Sequence, residues 1–113
     1  MKVYKQHDLM DCGPACLRMI AKYYGKNISL TAIREKSYLT KEGVSLIGLS
    51  NAAENFGLKS LGSKLSVQDL YKKAPLPCIL HFNENHFVVL YKVKKNLFYI
   101  ADPSKGKYVL SIE

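Results

Sequence analysis

The sequence predicts an α+β fold in which N-terminal helices pack on a C-terminal antiparallel sheet. Apolar residues recur at helical spacing as far as about residue 74, and β-rich runs separated by short turns follow from about residue 75. Blocks of helices and strands that follow one another, instead of alternating, are typical of α+β proteins. A chain of 113 residues is expected to form a single domain, 1–113, with a helical half (about 1–74) and a β-rich half (about 75–113).

The first helix has the clearest pattern. It is expected to begin near Cys12, because Gly13-Pro14 stands where a proline costs no hydrogen bond, and to stop at Gly25. The free N–H groups and the positive dipole end at a helix N-terminus favour a thiolate over a thiol at Cys12. Its periodic apolar residues are Cys16, Leu17, Met19, Ile20, Tyr23 and Tyr24.

Three further helices are expected, each preceded by a serine that can act as the N-cap. Leu58 to Leu61 is a candidate for a short strand between the last two of them. The three helices are Leu30 to about Glu35 after Ser29, Leu46 to Phe56 after Ser45, and a short one from Ser66 to about Tyr71.

The β-rich half predicts four strands joined as an antiparallel meander. The runs are rich in β-branched and aromatic residues, and turn-forming residues such as Asn83-Glu84-Asn85 and Lys94-Lys95-Asn96 separate them. The predicted strands are Cys78 to Phe82, Phe87 to Val93, Leu97 to Ala101, and Tyr108 to Ile112.

Four residues provide the parts of a thiol hydrolase. Cys12 would be the nucleophile, His86 the base, Asp102 the orienting group, and Gln6 an amide donor to the oxyanion. His86 lies at the start of one predicted strand, directly before Phe87, and Asp102 lies at the end of the next, directly after Ala101, so an antiparallel hairpin makes them neighbours. A helix packed on that sheet with its N-terminus at the same end brings Cys12 to His86.

Composition narrows the classes of function. The net charge of +8 would suit an anionic partner, but the basic residues are scattered, which argues against a nucleic-acid module. Tyrosines such as Tyr23, Tyr91 and Tyr99 are expected in the core. Three cysteines cannot form a complete disulfide set and fit a reducing cytosol, and no run is long enough to span a membrane. Cys16 and Cys78 are expected in the core.

Three segments together resemble the papain-like leader peptidases, the domains at the N-terminus of bacteriocin-exporting ABC transporters. The segments are Gln6-x-Asp8-x-x-Asp11-Cys12-Gly13-x-Ala15-Cys16-Leu17-x-Met19-Ile20, Asn85-His86-Phe87-Val88-Val89-Leu90 and Ala101-Asp102-Pro103.

This resemblance implies a papain-like fold and cleavage of a precursor peptide after a double-glycine leader. The cleavage would occur on the cytoplasmic side of the bacterial membrane, without a cofactor, and would be coupled to export by the membrane and ATPase domains of a transporter. By the same resemblance Cys12 is the nucleophile, His86 the general base and acid, Asp102 the residue that orients His86, and Gln6 the oxyanion donor.

Several alternatives remain at this point. The chain could be a catalytically silent leader-binding domain or another Cys-His-Asp thiol enzyme. Asp102 could serve only as the turn residue before Pro103, and Asp8 and Asp11 could cap or charge the first helix. His7 and His81 are expected to be structural or exposed. A zinc site of Cys12, Cys16, His81 and His86 is disfavoured, because its two pairs lie far apart in sequence.

Overall fold

The computed structural model describes residues 1–4, 11–37, 45–82 and 86–112. Within them the α+β prediction is confirmed, because every helix precedes every strand. The helices are α1 (Cys12–Tyr23), α2 (Leu30–Ser37), α3 (Leu46–Asn55) and α4 (Val67–Lys73), and the strands are β1 (Cys78–Phe82), β2 (His86–Lys94), β3 (Leu97–Asp102) and β4 (Gly106–Ser111).

Serine side chains begin three of the helices, as predicted. The hydroxyl oxygens of Ser29, Ser45 and Ser66 each accept a hydrogen bond from the N–H three residues later, at 3.1, 3.0 and 3.1 Å. These bonds satisfy N–H groups that have no partner inside the helix. The predicted ends are less accurate, since α2 and α4 each run two residues further than expected.

The predicted strand from Leu58 to Leu61 is wrong. The segment follows α3 and pairs with no strand of the described sheet. Two polar groups of Ser60 form hydrogen bonds with side chains of α3 instead. The N–H of Ser60 donates to Glu54 at 2.8 Å, and the hydroxyls of Ser60 and Ser50 lie 2.8 Å apart. Leu61 is left 92% exposed.

The four strands form one antiparallel meander in the order β1-β2-β3-β4. Two hydrophobic cores lie on its opposite faces. The first core packs α1, α2 and α3 against Phe87, Val89 and Ala101. The second core gathers Val88, Leu90 and β3 side chains, with α4 packed against them. Because both faces of β2 are covered, its residues 87–90 are all buried.

A β-bulge at Tyr91 interrupts the pairing of β2 with β3. Leu90 pairs with Ile100 and Lys92 with Tyr99, so Tyr91 is the extra residue. The bulge reverses the alternation of faces. Leu90 belongs to the second core, and the next β2 side chain packed there is Val93 instead of Lys92.

The tyrosines of the first helix depart from the prediction. Tyr23 and Tyr24 are 58% and 56% exposed, although helical spacing placed them in the core. Tyr91 and Tyr99 are half-buried, and Cys16 is fully buried as expected. Cys78 is half-buried on β1 and packs against the second core. None of the helices that the structure describes is both long and apolar enough to cross a membrane.

Candidate active site

The N-terminus of α1 lies against the beginning of β2. Cys12 is the first residue of α1 and is 4% exposed. A Cβ atom at Gly13 would lie only 3.3 Å from the ring of Phe87, the residue that follows His86. The missing side chain therefore permits a close approach, which carries Cys12 towards the strand end that bears His86.

The predicted contact between His86 and Asp102 is present. His86 begins β2 and Asp102 ends β3, so the antiparallel pairing of these strands sets both residues at one end of the sheet. His86 Nε2 lies 2.9 Å from Asp102 Oδ1, a distance typical of a charge-assisted hydrogen bond. Because Nε2 faces the carboxylate, Nδ1 is the ring nitrogen left for proton exchange.

Asp102 is held by more than His86. Its side chain is 1% exposed. Oδ1 also accepts hydrogen bonds from the backbone N–H groups of Ser104, at 2.7 Å, and Lys105, at 3.2 Å. The hydroxyl of Tyr108 donates to Oδ2 at 3.2 Å. Asp102 thus has the turn geometry that its sequence context suggests and, with the same carboxylate, contacts the imidazole.

These bonds favour the charged form of Asp102. Burial of the carboxyl by itself raises its pKa, but the two turn N–H groups and His86 outweigh burial and lower the pKa of Asp102 below its ordinary value. The carboxylate is therefore ionised at neutral pH and can stabilise a protonated imidazole.

The other two cysteines are poor nucleophiles. Burial, with the neighbouring Cys12 and Asp102, raises the pKa of Cys16 well above its usual range. Burial raises the pKa of Cys78 to about 11. Both side chains remain thiols at neutral pH, and the thiolate is the reactive form of cysteine.

An ion pair next to Cys12 was not predicted. Asp11 is fully buried as the N-cap residue of α1, yet its side chain makes no capping bond. Its carboxylate instead forms a bidentate ion pair with Arg34 of α2. Arg34 Nε donates to Oδ1 at 2.7 Å, and Arg34 Nη2 donates to Oδ2. The two residues of the pair are 23 positions apart in sequence, so no local pattern indicates it.

Other candidate residues have different outcomes. Gln6 lies outside the described residues, as do His7 and Asp8. His81 is exposed as expected, and its ring stacks on that of Phe87 at 4.4 Å. In the ranges that the structure describes, no three histidine, cysteine or acidic side chains are grouped so as to hold a metal ion.

Tyr108 could have been found from the hairpin register. Asp102 pairs with Gly106, so Tyr108, two residues later, projects from the same face as Asp102. A tyrosine two residues after the glycine of the β3–β4 turn is thus the signal that the sequence offered.

Comparisons with known proteins agree on one family. A family model described as the Peptidase C39 family matches residues 1–113. Two proteins of Escherichia coli, the colicin V secretion/processing ATP-binding protein CvaB and the probable microcin-H47 secretion/processing ATP-binding protein MchF, are each 39% identical to this chain over 111 residues. In both cases the match covers 98% of this chain and 16% of the relative, so the chain spans a small part of their length.

Solved structures with the same fold include two peptidase domains. A double glycine motif protease from an AMS/PCAT transporter, in complex with the leader peptide, has a TM-score of 0.94 and 35% identity, with 98% of this chain and 79% of that chain covered. The peptidase domain of Streptococcus ComA, a bifunctional ABC transporter, has a TM-score of 0.85 and 29% identity, with 97% and 85% covered. The predicted papain-like fold and the resemblance to leader peptidases are confirmed.

Proposed function

This chain belongs to the Peptidase C39 family and is a cysteine peptidase, and from that premise we propose that Cys12, His86 and Asp102 are its catalytic residues within one peptidase domain, 1–113. The observation that carries the assignment is the 2.9 Å contact of His86 with Asp102, at the sheet end against which the Cys12 end of α1 packs. Nucleophile, base and orienting group are the constellation of a thiol hydrolase.

The proposed reaction begins with proton transfer from Cys12 Sγ to His86 Nδ1. The thiolate attacks the carbonyl carbon of the scissile bond and the carbonyl oxygen becomes an oxyanion. The His86 imidazolium, stabilised by the Asp102 carboxylate, gives its proton to the departing amine and leaves a thioester on Cys12. His86 then removes a proton from water, which attacks the thioester and releases the second product as a carboxylic acid. The His86 imidazolium returns its proton to Cys12 Sγ, which restores the thiol and the neutral imidazole.

Gln6 is the proposed donor to the oxyanion. Its amide precedes Cys12 by six residues, and side-chain amides are one of the usual groups that stabilise such charge.

The proposed substrate is a precursor peptide cut after a double-glycine leader. The support is the 35% identity with the double glycine motif protease and the relatives described as secretion/processing proteins. The two glycines before the cut would bind in a narrow slot beside Cys12 that excludes larger side chains. Their binding contributes little free energy, because glycine offers almost no apolar area. Affinity must come from another part of the leader.

An exposed apolar patch is the proposed docking surface for that part. The patch consists of Leu46, Ile47, Leu61, Leu65 and Val67, which are 46–92% exposed. The segment that carries Leu61 passes the start of α3, since a Cβ on the neighbouring Gly62 would lie 3.9 Å from Leu46. Its occupant would be an amphipathic leader helix, whose apolar face suits such a surface and whose acidic residues suit the chain's charge of +8.

The patch leads towards the site. Leu46 lies one helical turn before Leu49 on α3, and Leu49 Cδ1 lies 3.7 Å from where a Gly13 Cβ would be. Gly13 follows Cys12. A leader bound on the patch would therefore have a short path along α3 to the thiol.

The proposed location is the cytoplasmic side of the bacterial inner membrane, with the membrane and ATPase domains of an ABC transporter as partners. Support comes from relatives described as ATP-binding secretion proteins, because ATP is a cytoplasmic substrate. Leader removal would then be coupled to export.

Mass spectrometry of precursor peptides incubated with the protein tests this function. Cleavage after the second glycine is expected, and Cys12→Ala should abolish it while leaving leader binding unchanged. Iodoacetamide should label Cys12 faster than Cys16 or Cys78, whose pKa values are raised. Full activity of Cys12→Ala would rule out the proposed nucleophile, and wild-type binding without cleavage would indicate a silent domain.

A second experiment tests the patch. Ile47→Ser and Leu61→Ser should raise the KM for a full-length precursor and leave kcat nearly unchanged. Tyr23→Ser, which alters an exposed side chain at the other end of α1, is the matched control and should change neither. A short peptide with only the glycines and their neighbours, if cut as well as the full precursor, would exclude a docking surface.

A further inference from the structure

The carboxylate of Asp102 is fixed from both of its oxygens. Oδ1 accepts bonds from His86 and from the backbone of the β3–β4 turn, at 2.7–3.2 Å. Oδ2 accepts the hydroxyl of Tyr108 at 3.2 Å. A carboxyl group bound only through Oδ1 could still rotate about its bond to Cβ, and a donor on Oδ2 opposes that rotation.

We propose that Tyr108 is a positioning residue of the peptidase, whose hydroxyl holds the Asp102 carboxylate in the plane that presents Oδ1 to His86 Nε2. This inference rests on the proposed catalytic roles of His86 and Asp102. Tyr108 itself acts only through Asp102.

The surroundings of Tyr108 suit this role. Its ring packs against the second core from β4, so the strand fixes the position of the hydroxyl. Burial and the adjacent Asp102 raise the pKa of Tyr108, which keeps the hydroxyl protonated and able to donate. Every other titratable side chain that the described contacts place at Asp102 comes from β2 or α1, namely His86 and Cys16.

Tyr108→Phe keeps the ring and removes only the hydroxyl. Since a hydrogen bond to a charged group is among the stronger ones, we expect kcat to fall about tenfold, with KM unchanged. A carboxylate that turns away from His86 stabilises the imidazolium less. The alkaline limb of the pH profile of kcat/KM should therefore move to lower pH.

Tyr71→Phe provides the matched control. Tyr71 also packs its ring against the second core, and its hydroxyl oxygen accepts the N–H of Asn96 at 3.0 Å. This variant also loses one hydrogen bond of a tyrosine hydroxyl, but at the β2–β3 turn, far from Asp102. It should leave kcat and the alkaline limb unchanged.

NMR of the His86 imidazole separates this inference from the proposed function. In the Cys12→Ala background, which needs no substrate, the signal of the Nε2 proton that bonds to Asp102 should weaken in Tyr108→Phe and persist in Tyr71→Phe. An equal Nε2 proton signal in both variants would overturn the role of Tyr108, even in an active enzyme. If the wild-type protein cuts no precursor but the signal weakens only in Tyr108→Phe, the proposed function fails and the positioning of Asp102 by Tyr108 stands.

Discussion

Arg34→Gln tests whether the ion pair beside Cys12 holds α1 on α2. The substitution leaves the fully buried Asp11 carboxylate without its two-pronged partner. Removing one member of a buried pair costs about 3–5 kcal/mol, because a charge stays buried and uncompensated. The Arg34 side chain is 35% exposed, so water screens the pair and the lower figure, about 3 kcal/mol, applies.

This cost converts to a large change in melting temperature. For a chain of 113 residues the entropy of unfolding is about 0.24 kcal/mol/K near 60 °C. A loss of about 3 kcal/mol therefore lowers Tm by about 13 °C. Circular dichroism during thermal unfolding measures the change directly.

Two further variants interpret the result. Asp11→Asn combined with Arg34→Gln removes both charges and should recover at least half of the lost Tm. Lys73→Gln removes an exposed pair with Asp69, whose atoms are 3.7 Å apart, and should lower Tm by about 2 °C or less. If Arg34→Gln costs no more than Lys73→Gln, or the double variant is as unstable as the single one, the pair does not stabilise the helix contact.

Three substitutions and one titration test the site. Gln6→Ala should reduce kcat about a hundredfold or more with KM unchanged, and a change in KM alone would make Gln6 a binding residue. Asp102→Asn should keep the fold by circular dichroism but favour the wrong His86 tautomer and leave a small residual activity; unchanged kinetics near pH 7 would reduce Asp102 to a turn residue. Gly13→Ala, whose Cβ would lie 3.3 Å from the Phe87 ring, should lower kcat while changing Tm little, and an unchanged kcat would show that the Phe87 ring moves to make room. Because folding lowers the pKa of Asp102, the ionised carboxylate stabilises the protein above the unfolded carboxyl pKa of about 3.9. This stabilisation is lost as the pH falls through the folded pKa. Acid unfolding curves of wild type and Asp102→Asn should therefore differ below about pH 3.9.

Local patterns predicted the elements that local physics decides. Ser45 and Ser66 begin helices because their hydroxyls cap N–H groups three residues on. The contact between His86 and Asp102 was predictable for a similar reason, since the geometry of one antiparallel hairpin sets it.

Features that depend on packing between distant segments were missed. The Asp11–Arg34 pair requires α2 to lie beside the N-terminus of α1. Tyr23 is periodic with the buried face of α1, but it is the last residue of that helix and remains exposed. Leu58 to Leu61 has the composition of a strand, yet a strand needs a partner. Ser60 instead donates its N–H to Glu54, and its hydroxyl pairs with that of Ser50.

The bulge at Tyr91 divides the β2–β3 hairpin into two parts with different pairing registers. Residues before it are locked in register by two cores, and they carry His86 opposite the end of β3. Residues after it include Val93, which packs against the second core, and lead to the turn at Lys95 and Asn96, whose positive φ angles of 52° and 63° define its shape. The turn lies at the opposite end of the hairpin from His86 and Asp102, and the bulge stands between them. The turn can therefore diverge in evolution, or accept an engineered insertion, while the distance between the imidazole and its carboxylate stays the same.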